Sequence, residues 1–130
     1  VYLGVMNNHK DGINILIEAF EKLSDSFPQY QLYLFGPPHY DTPGHKKQIE
    51  SLRLKDKVHM KGAVHRDHVP SILNNADLLV LPRPDSKQAQ GGFPTKLGEY
   101  LASETPICAT MVGEIPNYLR DNESVFFFFF

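Results

Sequence analysis

The chain has 130 residues, room for one compact domain with its own core but not for two. Apolar residues make up 42% and charged residues 22%, the composition of an ordinary soluble globular domain. A net charge of −2 excludes nucleic-acid binding through general charge, and a single cysteine, Cys108, excludes an internal disulfide and favours a reducing compartment.

Taken in chain order, short apolar runs alternate with longer helical ones. Val1 to Val5 reads as a strand, followed by the polar loop Asn7-Asn8-His9-Lys10-Asp11-Gly12. Ile13, Leu16, Ile17, Phe20 and Leu23 recur at helical spacing, so a helix with one apolar face is expected there, broken by Ser24 to Pro28. Gln31 to Phe35 is a strand stopped by Gly36-Pro37-Pro38. A loop with Pro43 and Gly44 then leads to a weaker helix at about 45 to 54. Lys57 to Lys61 reads as a strand and 66 to 75 as a helix. Asp77 to Leu81 has the near-continuous apolar character of a strand buried on both faces. A long loop, Pro82 to Gly92, precedes a helix at about 94 to 103, a strand at Pro106 to Thr110 and a short helix at Glu114 to Leu119. Val125 and the first residues of the run Phe126 to Phe130 close the chain as a strand. Both ends fall within strands, as expected of a domain taken from a larger protein.

This alternation implies an α/β fold: a doubly wound, Rossmann-like parallel sheet of about six strands with helices on both faces. Right-handed crossovers favour the order 3-2-1-4-5-6, which reverses between the first and fourth strands. Ligands bind at that point, beyond the carboxyl ends of the strands. Loops 6 to 12 and 82 to 92 flank it.

The most informative stretch is Gly91-Gly92-Phe93-Pro94-Thr95-Lys96-Leu97-Gly98-Glu99. Proline suits the first position of a helix, and the free amides of Thr95, Lys96 and Leu97 then face the crevice and attract an anion. Lys96 can add a full charge, and Glu99, one turn on, can accept hydrogen bonds from vicinal hydroxyls as an acidic residue does for a ribose. Together these suggest a nucleotide socket. The same residues also fit an ordinary proline-started helix with Lys96 in solvent. Gly91 and Gly92 offer backbone conformations closed to other residues, and Lys10 faces the crevice from the opposite loop. No Gly-x-Gly-x-x-Gly follows the first strand, so a dinucleotide domain is disfavoured. His65 and His68 lack partners for a zinc set, no Gly-x-Ser-x-Gly marks a hydrolase nucleophile, and Cys108 reads as an inert core thiol.

Gly92-Phe93-Pro94-Thr95-Lys96-Leu97-Gly98-Glu99-Tyr100-Leu101-Ala102-Ser103, followed by Thr105-Pro106-Ile107 and Val112-Gly113-Glu114-Ile115-Pro116, resembles the donor-binding region of family-4 (group 1) glycosyltransferases. Leu16-Ile17-Glu18-Ala19-Phe20, Leu34-Phe35-Gly36, Lys61-Gly62 and Ala76-Asp77-Leu78-Leu79-Val80-Leu81-Pro82 fall in the same order as in that family. The resemblance covers nearly the whole chain. It implies the C-terminal, donor-binding half of a two-domain GT-B enzyme, with residues 1–130 as a single domain whose N-terminal acceptor partner is absent.

The implied activity is retaining, metal-independent transfer of a sugar from a UDP-, GDP- or ADP-sugar to a hydroxyl. The acceptor would be a growing glycan or a lipid-linked molecule. No cofactor is implied. No apolar run is long enough to span a bilayer; the implied location is cytoplasmic, with peripheral association at the inner face of the membrane. Carried over residue by residue, Glu99 would bind the ribose, the amides of Thr95 and Lys96 the diphosphate, and Val64 would lie near the base. Gly91 stands where the family carries a sugar-contacting glutamate, so Asp85, Gln88 or Gln90 are the candidate substitutes. The family arginine after the first strand is missing at Val5, and Asp11 stands at the register of the family lysine, with Lys10 beside it. A non-catalytic nucleotide-binding module and a nucleotide-sugar epimerase remain open on the same residues.

Overall fold

The computed structural model describes residues 1–128; Phe129 and Phe130 lie outside the described residues. Two parallel three-stranded sheets carry the fold. β1 (Tyr2–Leu3) pairs with β2 (Leu32–Phe35), and β2 with β3 (Val58–Gly62), in the register Tyr2 to Leu34 and Leu32 to Val58. β4 (Leu79–Leu81) pairs with β5 (Ile107–Thr110), and β5 with β6 (Phe126–Phe128), in the register Leu79 to Ile107 and Cys108 to Phe126. The sheets meet along β1 and β4, where the Val80 amide donates to the Val1 carbonyl at 2.9 Å. The spatial order is therefore the expected 3-2-1-4-5-6, reversing at the β1–β4 seam.

Strand alternation sends side chains to two cores. On one face, Tyr2, Leu32, Leu34 and Val58 pack against Ile13, Leu16, Ile17 and Phe20 of α2 (Ile13–Ser26) and Ile49 of α3 (Thr42–Ser51). On the other, Leu3, Leu79, Leu81, Ile107 and Ala109 pack against Leu73 of α4 (Val69–Asn74), Leu97 and Tyr100 of α6 (Lys96–Ala102) and Ile115 of α7 (Ile115–Tyr118). The helical spacing read in α2 is what puts its four buried apolar side chains on one side, each worth about 1.5–3 kcal/mol on burial.

Four expectations change. α2 runs on through Ser24, whose buried hydroxyl donates to the Glu21 carbonyl at 2.9 Å, and ends at Ser26. α3 begins at Thr42, because Pro43 sits in its first turn, where a missing N–H costs nothing. The expected loop 6 to 12 contains a single helical turn, α1 (Asn8–Asp11), capped by the Asn7 side chain accepting from the Lys10 amide at 2.7 Å. The expected loop 82 to 92 contains another, α5 (Lys87–Gln90), capped in the same way by Ser86 accepting from the Ala89 amide at 3.2 Å. Cys108 is half-buried in β5, and burial pushes its thiol pKa up.

Candidate functional site

The two loops expected to flank the crevice touch one another. Gly12 ends α1 with φ 66°, and a Cβ there would overlap the Pro82 carbonyl oxygen, so only glycine allows this approach. Behind the contact lies a buried charged cluster. Lys96, the first residue of α6, sends its ammonium inward, donating to Asp11 Oδ1 at 2.9 Å and to the Tyr2 hydroxyl at 2.9 Å. The ammonium also lies 4.5 Å from the centre of the Tyr2 ring. It occupies the space a side chain at Gly4 would need. Asp11 is 3% and Arg83 4% exposed. Arg83 donates to the Gly92 carbonyl at 3.1 Å, pinning the loop that precedes α6.

Burial is the main influence on these groups. It lowers the pKa of Lys96, an effect that Asp11 opposes by charge and hydrogen bond, and it lowers that of Arg83, with Asp11 again opposing. It raises the Tyr2 phenol well above its ordinary range, reinforced by Asp11. Lys96 is thus not in solvent, as an ordinary proline-started helix would have it. Its ion pair is with a residue 85 positions away.

The start of α6 also differs in detail. The Leu97 amide is not free: it donates to the Pro94 carbonyl at 2.9 Å. The amides of Thr95 and Lys96 make no hydrogen bond among the described residues. Glu99 is exposed, one turn on, and its carboxylate has no ion pair among the described residues. Gly91 has φ −91°, and neither it nor Gly92 is in the left-handed region. Space for a side chain exists at both, with nothing nearer a Cβ than 3.5 Å and 3.6 Å respectively. The expectation that these glycines supply special backbone angles is therefore corrected: an ordinary residue fits either position.

The remaining candidates are dispersed. Lys10 is exposed on α1. Asp85 and Gln90 bond to one another at 2.9 Å at either end of α5, and Gln88 is exposed between them. Val64 follows β3 and is half-buried against the second core. His65 and His68 stack edge to face with ring centres 6.5 Å apart, and among the described residues no three His, Cys, Asp or Glu side chains converge as a metal site would need. Arg83 opens the donor-rich loop 83 to 90, which is the local sequence signal for it; Tyr2 and Tyr100 carry no such signal.

A parallel sheet in the order 3-2-1-4-5-6, with helices packed on both faces, is a doubly wound, Rossmann-like domain. The family model described as Glycosyl transferases group 1 matches residues 1–128, and the chain belongs to that family. The protein named "Putative colanic acid biosynthesis glycosyltransferase WcaL" of Escherichia coli (strain K12) is 26% identical over 116 residues, which is 88% of this chain. The chain spans 28% of that relative's length. The C-terminal domain of the glycosyl transferase group 1 family protein LpcC from Francisella tularensis superposes with a TM-score of 0.81 at 20% identity, over 98% of this chain and 65% of that one. Anabaena Alr3699/HepE in complex with UDP-glucose superposes at 0.79 and 20% identity, over 98% of this chain and 34% of that one. At such identity the two structures speak for the fold alone.

Proposed function

We propose that the chain is the donor-binding domain of a retaining, metal-independent glycosyltransferase. A second domain, outside this sequence, would supply the acceptor side of the cleft. The observation that carries the reading is the placement of exposed Glu99 one turn from the unbonded amides of Thr95 and Lys96, at the switch point of the sheet. Glu99 accepts from the ribose hydroxyls. The two amides and the Lys96 ammonium, with Lys10 at the rim, meet the diphosphate. Val64 lies against the base, and Gly92 stands beside the ligand ahead of α6. Asp85, ahead of α5, and Gln88 and Gln90 on it contact the sugar beside Gly91.

When the glycosidic bond breaks, negative charge develops on the departing diphosphate. Fixed donors in a half-buried site stabilise it without reorganising, which is the task a divalent ion performs elsewhere. The donor class is a UDP-, GDP- or ADP-sugar, and the UDP-glucose complex of HepE supports trying the uridine series first. The acceptor is a hydroxyl on a glycan or lipid-linked molecule, reached from the cytoplasmic side; no helix among the described residues is long and apolar enough to cross a membrane. Alone the domain binds donor and turns over nothing, because half of the cleft is elsewhere.

A donor screen on the full-length protein with anomeric analysis of the product tests this reading. Sugar transfer with retention, unaffected by EDTA, is expected; inversion or loss on chelation contradicts it. A non-catalytic binding module is the second reading, favoured by the absence of a carboxylate at Gly91. Nucleotide binding without transfer to any acceptor selects it, and sugar isomerisation in the absence of acceptor would indicate an epimerase.

A further inference from the structure

We propose that Asp11 is a positioning residue for donor binding: its carboxylate holds the Lys96 ammonium on the crevice floor, as the cation that meets the diphosphate. The proposal rests on the nucleotide-sugar reading of the crevice.

An ammonium has three N–H donors. Lys96 spends one on Asp11 and one on the Tyr2 hydroxyl, each at 2.9 Å, and the third has no partner among the described residues. Its side chain is 18% exposed and that of Asp11 4%, so the carboxylate is shut away while the ammonium keeps some access to solvent. The site is built from three places: Asp11 from α1, Tyr2 and the bare Gly4 backbone from β1 and its end, and Lys96 from α6. A buried ion pair is weak support for stability in itself, since apolar residues of similar size serve as well. This one lies where the topology puts ligands.

The groups that act on Lys96 are few. Asp11 and exposed Lys10 come from α1, Tyr2 from β1, and Arg83 from the segment after β4. α6 itself contributes exposed Glu99 and buried Tyr100, whose hydroxyl bonds to Leu3 instead. Arg83 and Lys10 repel a charged Lys96, and burial disfavours it; Asp11 alone opposes them by both charge and hydrogen bond. Without the carboxylate the ammonium loses its proton at lower pH. Diphosphate binding then falls as pH rises.

Asp11→Asn keeps the shape and the hydrogen-bond acceptor and removes the charge. UDP binding by calorimetry, from about pH 7 to about pH 9, avoids the ionisation of the phosphate near pH ~6. Across that range the variant should weaken with rising pH more than the wild type does, by up to about ten-fold for each pH unit by which the ammonium pKa falls. Asp11→Glu should restore the wild-type profile. Parallel profiles for wild type and Asp11→Asn overturn the proposal and leave the nucleotide reading standing.

Absence of UDP binding by the wild type sinks the nucleotide reading, and the proposal with it. Nitrogen-15 NMR of the Lys96 side chain covers the case in which the variant does not fold. In the wild type near pH 7 the resonance should be that of a charged ammonium and should move when UDP is added. A neutral amine, or a resonance that UDP leaves unmoved, contradicts the proposal.

Discussion

The hydroxyl of Tyr100 accepts a hydrogen bond from the Leu3 amide at 2.9 Å and donates to the Val80 carbonyl at 3.4 Å. Leu3 ends β1 and Val80 lies in β4, so a side chain from α6 stands in for a ladder bond at the seam where the two sheets meet. The tyrosine is fully buried, and burial raises its pKa far above the ordinary phenol range, so it stays a neutral donor and acceptor. The same helix carries Lys96 and Glu99. The contact therefore fixes the candidate site to the sheet as well as joining its halves.

Tyr100→Phe should leave the Leu3 amide without a partner and cost about 1–3 kcal/mol, the penalty for a buried unsatisfied group. Urea unfolding measures it. A loss below about 0.5 kcal/mol, the range of a neutral surface change, would show that the seam does not depend on the hydroxyl.

Acid should destabilise the domain through His45. The ring is buried, with Nε2 2.6 Å from Asn8 Oδ1, which also accepts from the Asn14 amide at 3.0 Å. Nε2 is therefore the donor, and Nδ1 is buried with no partner. Burial lowers the His45 pKa, against the pull of Asp41 and with the push of His39. The unfolded chain then takes up the proton first, so this stabilisation is complete above the ordinary histidine value of about 6.5 and is lost as pH falls through the folded value. Unfolding midpoints should drop between about pH 7 and about pH 5, and less so in His45→Gln; equal slopes in the two proteins would refute the assignment.

Gly91→Glu should fold as well as the parent, within about 0.5 kcal/mol by thermal melting. The backbone angle is ordinary and the nearest atom to a new Cβ is the Lys87 carbonyl oxygen at 3.5 Å. The added carboxylate, standing beside α5, should also favour UDP-glucose over UDP in a binding assay. A loss above about 1 kcal/mol would mean that the glycine is required by the fold.

The sequence carried the elements whose signals are local. Ile13, Leu16, Ile17 and Phe20 announce α2 by spacing, and the run through Leu79 to Leu81 announces a central strand. α1 and α5 are not legible as helices, because four residues hold no apolar period; their signals are the caps Asn7 and Ser86, which a turn uses equally. Pro43 and Gly44 carry the signal of a loop and lie in the first turn of α3, a position a proline tolerates. The anion socket at α6 was legible from Pro94 to Glu99, but the destination of Lys96 was not. Its partner is 85 residues away, and pairing across such a distance follows from topology, which strand order alone does not resolve to the level of a side chain.

The proposed role of Glu99 and the start of α6 is to hold a nucleotide. Calorimetry of the domain with UDP, with and without Glu99→Ala, is the decisive measurement. Glu99 is exposed and unpaired among the described residues, so its removal should leave stability within about 0.5 kcal/mol. UDP should bind the parent, and the variant should bind about ten-fold or more weakly, the effect of losing charge-assisted hydrogen bonds. No binding by the parent at millimolar UDP, or equal binding by the two proteins, would contradict the account.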